Sequence, residues 1–343
     1  MIIWIIFLQK QIVGDFEHVK YSYSGDLFDE KDKWGLGNFV FLTKILYITG
    51  KLKNLKTSQK EKIATQIKQF EHKNGYIFDP LITGNTRRFL FTKQNHEAKK
   101  TRRAETRQSF AALNMLGSKP SKPFKDLPQN TKQIEKYLES FDWSRPWDAG
   151  SHLGTLLFFM KMNEMFFPKS QRLKEENVNF IKNWLLSIQS PSDGTWYRGN
   201  TPLSEKINGA MKILIGLDVI GIENIPKVDM IIDTALSAVH DKEACFNFNI
   251  VYVLYITSRF SKHRHDEIKD FMYQRLRLYK QFYHEDKGGF SFYRHKANDK
   301  YYGKKITQGL DEPDIHGTAM FVQGIALINQ VLDLGLDYRL SIN

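Results

Sequence analysis

Six apolar helix starts, each led by a polar or charged residue, constrain this chain more than any other feature. They fall at Asn38 in "GNFVFL", Arg107 in "TRQSFAAL", His152 in "GSHLGTLLFF", Asn208 in "INGAMKIL", Asn249 in "FNIVYVL" and His316 in "HGTAMFV". The anchors lie 41 to 69 residues apart, room for a helix, a connection and a second helix each time. A helix that is apolar all round must be buried, whereas segments such as 171–189 and 266–282 carry one apolar stripe and one charged face. The pattern predicts an all-α fold, an α/α toroid or six-hairpin α6/α6 barrel, with six buried helices ringed by six amphipathic ones. Helix N-termini leave unpaired N–H groups and a partial positive charge, so the tips of the buried helices would frame a rim that attracts anions.

The connections repeat as well. "SIQSPSDGTWYRGN" carries Gln189, Gly194 and Trp196; "KQFEHKNGYIFDP" carries Gln69, Gly75 and Tyr76; "KQFYHEDKGGFSFYRH" carries Gln281, Gly288 and Phe290. In each, an amphipathic segment ends near a glutamine, a glycine turn follows, and an aromatic residue pins the exit.

This glutamine, glycine and aromatic motif followed by a buried helix resembles the repeat of terpenoid cyclases and protein prenyltransferases, most closely in "GGFSFYRHKANDKYYGKKITQGLDEPDIHGTAMFVQGIALI", residues 288–328. The likeness spans roughly residues 60–320 in pattern. It implies an isoprenoid enzyme that holds an anionic, diphosphate-bearing substrate in a central cavity. The signatures of that family depart here. No Asp-x-Asp-Asp or Asp-Asp-x-x-Asp string occurs, and the nearest acidic cluster, Asp311-Glu312-Pro313-Asp314, has another spacing with a proline inside it. The zinc set that prenyltransferases would suggest, Glu243, Cys245 and His316, has suitable residue types. Yet Asp314 precedes His316 by one position fewer than the family pattern, a rotation of about 100° on a helix. The expectation is therefore no cofactor, with zinc the one candidate.

The chain has 343 residues, 41% of them hydrophobic, ample for a large core. Residues 1–30 are expected to form an N-terminal extension packed on or over the barrel, and residues 31–343 a single domain. The polar, basic stretch from Asp79 to Arg103 is expected to be a long connection acting as a lid or lacking order. A single cysteine, Cys245, fits a reducing compartment, and the expectation is a cytoplasmic protein. The apolar run of residues 1–8 is far short of the roughly 20 residues a membrane span needs, so no integral segment is expected; a packed first helix is, with a weak membrane-surface contact as the minor alternative.

A formal charge of +12 concentrates anions around the molecule. Without a zinc finger, an aromatic ribonucleoprotein motif or a phosphate-cradling glycine loop, nucleic acid is not the expected partner; a small-molecule or oligosaccharide anion is. The run Lys99 to Arg103 reads as a solvated helix face.

Candidate rim residues follow from the helix starts. His152 and His316 would move protons, each tuned by a nearby carboxylate, Asp148 or Asp314. Either histidine would equally serve as a buried hydrogen-bonding residue, and Asp148 as a helix cap. Trp147, Trp196, Arg198, Glu205, Asn208, Lys212 and Arg107 are the candidate substrate contacts. Lys212 shares a helix face with Asn208 and, one turn inside an apolar helix, needs a partner or a ligand. Besides the isoprenoid enzyme, two readings remain open. One is a carbohydrate-active barrel, a hydrolase, lyase or epimerase on an acidic glycan, with tryptophans stacking on sugar rings. The other is a toroid that binds without turnover.

Overall fold

The computed structural model describes residues 3–28, 32–83 and 93–340. It is mostly helical, with thirteen α-helices and six two-residue strands among the described residues. The helices come as consecutive pairs. α1 (Ile3–Gln11) leads to α2 (Leu36–Ile48), and α3 (Thr57–Lys68) leads through the single turn α4 (Pro80–Thr83) to α5 (Lys93–Met115). α6 (Thr131–Glu139) precedes α7 (Pro146–Phe166), and α8 (Glu175–Ile188) precedes α9 (Leu203–Val219). α10 (Val228–Leu236) precedes α11 (Ala244–Ser258), and α12 (His265–Tyr279) precedes α13 (Ile315–Leu332).

The second members pack in closed succession: α2 on α5, α5 on α7, α7 on α9, α9 on α11, α11 on α13, and α13 back on α2. Their sequences explain this. α2 buries 12 of its 13 residues, whereas α3 buries only Ile63, Ala64 and Ile67. A helix without a polar face is stable only when other helices cover it on every side. α13 is long and apolar enough to cross a membrane, the one such helix among the described residues, but 72% of it is buried inside the protein.

Close approach fixes the α7 and α9 pair. Gly150 and Gly154 on α7 face Gly209 and Gly216 on α9; a Cβ on Gly150 would lie 2.9 Å from the Gly209 carbonyl oxygen, and one on Gly216 2.7 Å from the Gly154 Cα. Any side chain there would drive the helices apart.

The recurrent glutamine motif is a small bridged turn. Gln189 pairs with Trp196, and its Nε2 donates to the carbonyls of Gly194 and Pro226 at 2.8 and 2.7 Å, tying the end of α8 to the start of α10. Glu71 pairs with Ile77 in the second copy, and β3 (Tyr283–His284) with β4 (Gly289–Phe290) in the third. A fourth copy, unmarked in the sequence reading, joins β1 (Ile12–Val13) to β2 (His18–Val19) just after the buried Gln11.

That fourth copy changes the role of the N-terminal segment. α1 is the first member of the first helix pair, with Phe7 fully buried against Gly289. The backbone continues into contact with the last pair: the Tyr21 carbonyl accepts from the Ile315 N–H at 2.8 Å, and the Tyr23 N–H donates to the Pro313 carbonyl at 3.1 Å. The expected connection from Asp79 to Arg103 also differs. Residues 84–92 lie outside the described part, but from Lys93 onward the chain is helix, so Lys99 to Arg103 sit within α5. Lys93–Met115 has no proline or glycine and is rich in Ala, Lys, Arg, Glu and Gln, all strong helix formers.

Candidate functional site

A cavity of about 610 Å³ opens among the six second-member helices, and every one of them contributes to its wall. α2 supplies Lys44; α5 supplies Lys100 and Arg107; α7 supplies Trp147, Asp148 and Ser151; α9 supplies Glu205, Met211, Lys212 and Ile215. Cys245, Phe248 and Asn249 come from α11, and His316 and Met320 from α13. The segment between α12 and α13 closes one side with Phe292, Tyr293, Asn298, Lys300, Tyr301 and Tyr302. A second cavity of about 590 Å³ lies along the C-terminal stretches of α7, α9, α11 and α13, and Ile215 lines both.

Cations dominate the interior. Lys44 is only 4% exposed, and burial holds its ammonium down to about 7, with Arg107 and Lys212 repelling it further. Burial likewise brings Lys212 to about 8, reinforced by Arg107, and pulls Arg107 itself below its ordinary value. Arg107 rests over the Phe158 ring at 5.9 Å. Among the described residues neither Arg107 nor Lys212 makes an ion pair. Like charges brought this close raise one another's free energy in the folded state.

The carboxylates on the wall are committed elsewhere or masked by burial. Asp148 pairs with Lys100, Glu205 accepts the Trp147 N–H at 3.3 Å, and burial raises the carboxyl of Glu243. The Cys245 thiol is pushed up to about 12 by burial, so it stays protonated. Glu243, Cys245 and His316 all line the cavity, yet no group of three or more His, Cys, Asp or Glu side chains is gathered to hold a metal among the described residues.

His316 stands between the rings of Phe41, stacked at 4.3 Å, and Phe292 at 4.8 Å. Burial, with Lys44 adding to it, lowers its imidazole to about 3, so the ring is neutral. Its Nδ1 lies 3.1 Å from the Tyr21 hydroxyl, which also accepts from the Asn298 amide at 2.9 Å. Asp314 does not face it. The Asp314 carboxylate caps α13 by accepting from Gly317 N–H at 2.7 Å, and it also takes the N–H groups of Phe292 and Asn298 at 2.8 and 3.0 Å. It thereby fixes the wall segment that carries Asn298 and Lys300, while burial raises its carboxyl to about 6.

The other predicted residues divide. Arg107, Trp147, Asp148, Glu205, Lys212 and His316 share the cavity. Asn208 sits behind the wall, its Oδ1 accepting from the amide of Asn249 at 2.6 Å and 2.9 Å from His240 Nε2. His152 turns toward α6, stacked on Phe141 at 4.2 Å with its Nδ1 3.5 Å from the Tyr137 hydroxyl. Trp196 is buried in the bridged turn, and Arg198 pairs with Glu139 at 2.6 Å over the Trp184 ring, both outside the cavity. Sequence reasoning missed Lys44, although it is a lysine in an apolar helix like Lys212. It also missed Tyr302, which holds a left-handed backbone (φ 46°) at the turn between β5 (Lys300–Tyr301) and β6 (Lys304–Lys305).

Comparisons with protein-family models, with curated proteins and with solved structures found no match to this chain.

Proposed function

We propose that this chain is an α/α toroid that acts on an acidic saccharide held in its central cavity. The closed succession of six buried helices, each preceded by an amphipathic partner, supports the toroid. The convergence of Lys44, Arg107 and Lys212 from three different helices on one cavity carries the ligand reading. A carboxylate entering there offsets the mutual repulsion of one buried and two half-buried cations, and Trp147, Tyr293 and Tyr301 supply aromatic rings to a sugar.

The same cations would hold a diphosphate, and Met211, Ile215, Phe248 and Met320 form an apolar strip that would take part of a prenyl chain. Nine charged side chains interleave with that strip, however, and a long hydrocarbon laid against them would strip their water without replacing it. Polar ligands with several hydroxyls meet no such penalty. The test is calorimetry of the intact protein against acidic oligosaccharides, their neutral counterparts and prenyl diphosphates. Binding of the acidic oligosaccharides alone is expected. Preference for prenyl diphosphates overturns the saccharide reading, and tight binding of acidic oligosaccharides without any product identifies a toroid that binds without turnover.

A further inference from the structure

Among the cavity residues, two positions retain side chains that folding alone does not favour. Lys212 is set on α9, whose backbone is locked against α7 by the Gly150, Gly154, Gly209 and Gly216 contacts. Its ammonium enters the cavity with no ion pair among the described residues. Tyr302 occupies the first corner of a two-residue hairpin turn, ahead of Gly303, in a left-handed conformation that a tyrosine adopts at a cost and an asparagine accepts readily. Its ring nonetheless lines the same cavity, and its hydroxyl receives the Gln108 amide at 3.4 Å, one residue from Arg107.

We infer that the cavity performs β-elimination on a 4-linked uronate residue, with Lys212 as the base, Tyr302 as the acid and Arg107 holding the uronate carboxylate. The inference rests on the acidic-saccharide reading and names its reaction. The neutral amine of Lys212 takes the C5 proton, forming an N–H bond as the C5–H bond breaks. The electron pair passes into the carboxylate, where Arg107 and Lys44 offset the added charge. It then returns to form the C4=C5 double bond as the C4–O bond breaks. The Tyr302 phenol gives its proton to the departing oxygen, and the Lys212 ammonium restores it through solvent. The products are a 4,5-unsaturated uronate and a shortened saccharide; no oxidant, reductant or water is consumed.

Lys212 faces Arg107 and Lys100 on α5, Lys44 on α2, Asp148 on α7, and Cys245 with Glu243 at the start of α11. Burial, reinforced by Arg107 and Lys100, keeps part of the amine unprotonated near neutrality, so kcat should rise with pH through about 8.

The experiment incubates the full chain with size-fractionated 4-linked oligomers of galacturonate, glucuronate, mannuronate and guluronate, following the ultraviolet absorbance of the conjugated double bond, with binding measured by calorimetry. The expected result is unsaturated product from at least one oligomer. Lys212→Arg and Tyr302→Phe should each lower kcat by about 100-fold or more while binding stays within about threefold, since Arg retains the charge. Tyr302→Asn should lose turnover to the same degree with its melting temperature kept or raised, which separates a chemical role from a structural one. New reducing ends without the chromophore, or binding with no product, overturn the elimination and leave the saccharide reading standing. Undiminished turnover in Lys212→Arg or Tyr302→Phe overturns that residue's role. Failure of every acidic oligomer to bind removes the saccharide reading itself.

Discussion

The Tyr21 hydroxyl lies 3.1 Å from Nδ1 of His316, across 295 positions of sequence. This contact brings the first helix pair to the wall formed by the last, and with Phe41 and Phe292 it seals a neutral imidazole into that wall. The neighbouring Asp314 works differently, since its carboxylate binds three backbone N–H groups.

The two residues should therefore respond to replacement to different degrees. His316→Phe preserves the ring stack and leaves the Tyr21 hydroxyl accepting from Asn298, but it removes the acceptor for the Tyr21 proton, so it should cost about 1 to 2 kcal/mol. Asp314→Ala removes a helix cap and orphans two further buried amides, and should cost about 2 to 4 kcal/mol. Urea denaturation of both variants compares them; equal losses would contradict the separate roles.

Lys44→Met tests the buried cations through pH. A lysine held at about 7 in the folded state but titrating at 10.5 when unfolded destabilises the protein most below pH 7, where both states are protonated. As pH rises from about 7 to 10.5 the folded state releases its proton first and the penalty fades. The variant should be more stable than the parent at about pH 6.5, by on the order of 2 to 4 kcal/mol, with little advantage at about pH 10.5. A stability difference that is flat with pH would mean that this ammonium is not penalised. The same variant should bind acidic oligosaccharides more weakly.

Gly154→Ala forces a methyl group into the Lys212 backbone. Separation of α7 from α9 should cost about 2 to 3 kcal/mol. It should also weaken ligand binding, because Trp147 and Lys212 ride on those two helices. A thermal melt with and without an acidic oligosaccharide reads both effects, and an unchanged melt would show that the helices yield freely.

Gln189→Ala is the control outside the cavity. It leaves the Gly194 and Pro226 carbonyls without their donor. The expected loss is about 1 to 2 kcal/mol of stability with unchanged ligand affinity. Impaired binding would instead tie the bridged turns to the site.

Replacing Tyr302 with Asn relieves a left-handed tyrosine in a turn that suits asparagine. Stability should rise by about 0.5 to 1 kcal/mol, measured by denaturant midpoint. A clear decrease would indicate that the ring contributes more to packing than its backbone costs.

The helical character of the chain and its buried segments were legible because apolar periodicity reports burial directly. All six predicted starts lie within helices, although α5 begins at Lys93, thirteen residues before the stretch Thr106 to Leu113 that suggested it. That helix begins in a polar stretch where charge resembles a loop and only helix propensity argues otherwise. Among site residues, Lys212 stood out as a charge in an apolar run, and Lys44 obeyed the same rule unnoticed. His152 and Trp196 were misleading for a common reason: position near a helix end gives no azimuth, and both side chains point into neighbouring packing rather than into the cavity. Tyr302 was legible only through backbone conformation, which the dipeptide Tyr302-Gly303 hints at but does not specify.

The backbone pairing of Tyr21 and Tyr23 with Ile315 and Pro313 has a consequence during synthesis. A segment near the head of this chain must wait, on the ribosome, for partners made almost the whole chain later. Until β4 and α13 have emerged, the face of Phe7 that packs on Gly289 and the backbone of Tyr21 and Tyr23 lack those partners and are open to chaperones and proteases. A transcript stopped short of α13 should yield a product that is cleared from the cell instead of a smaller working protein.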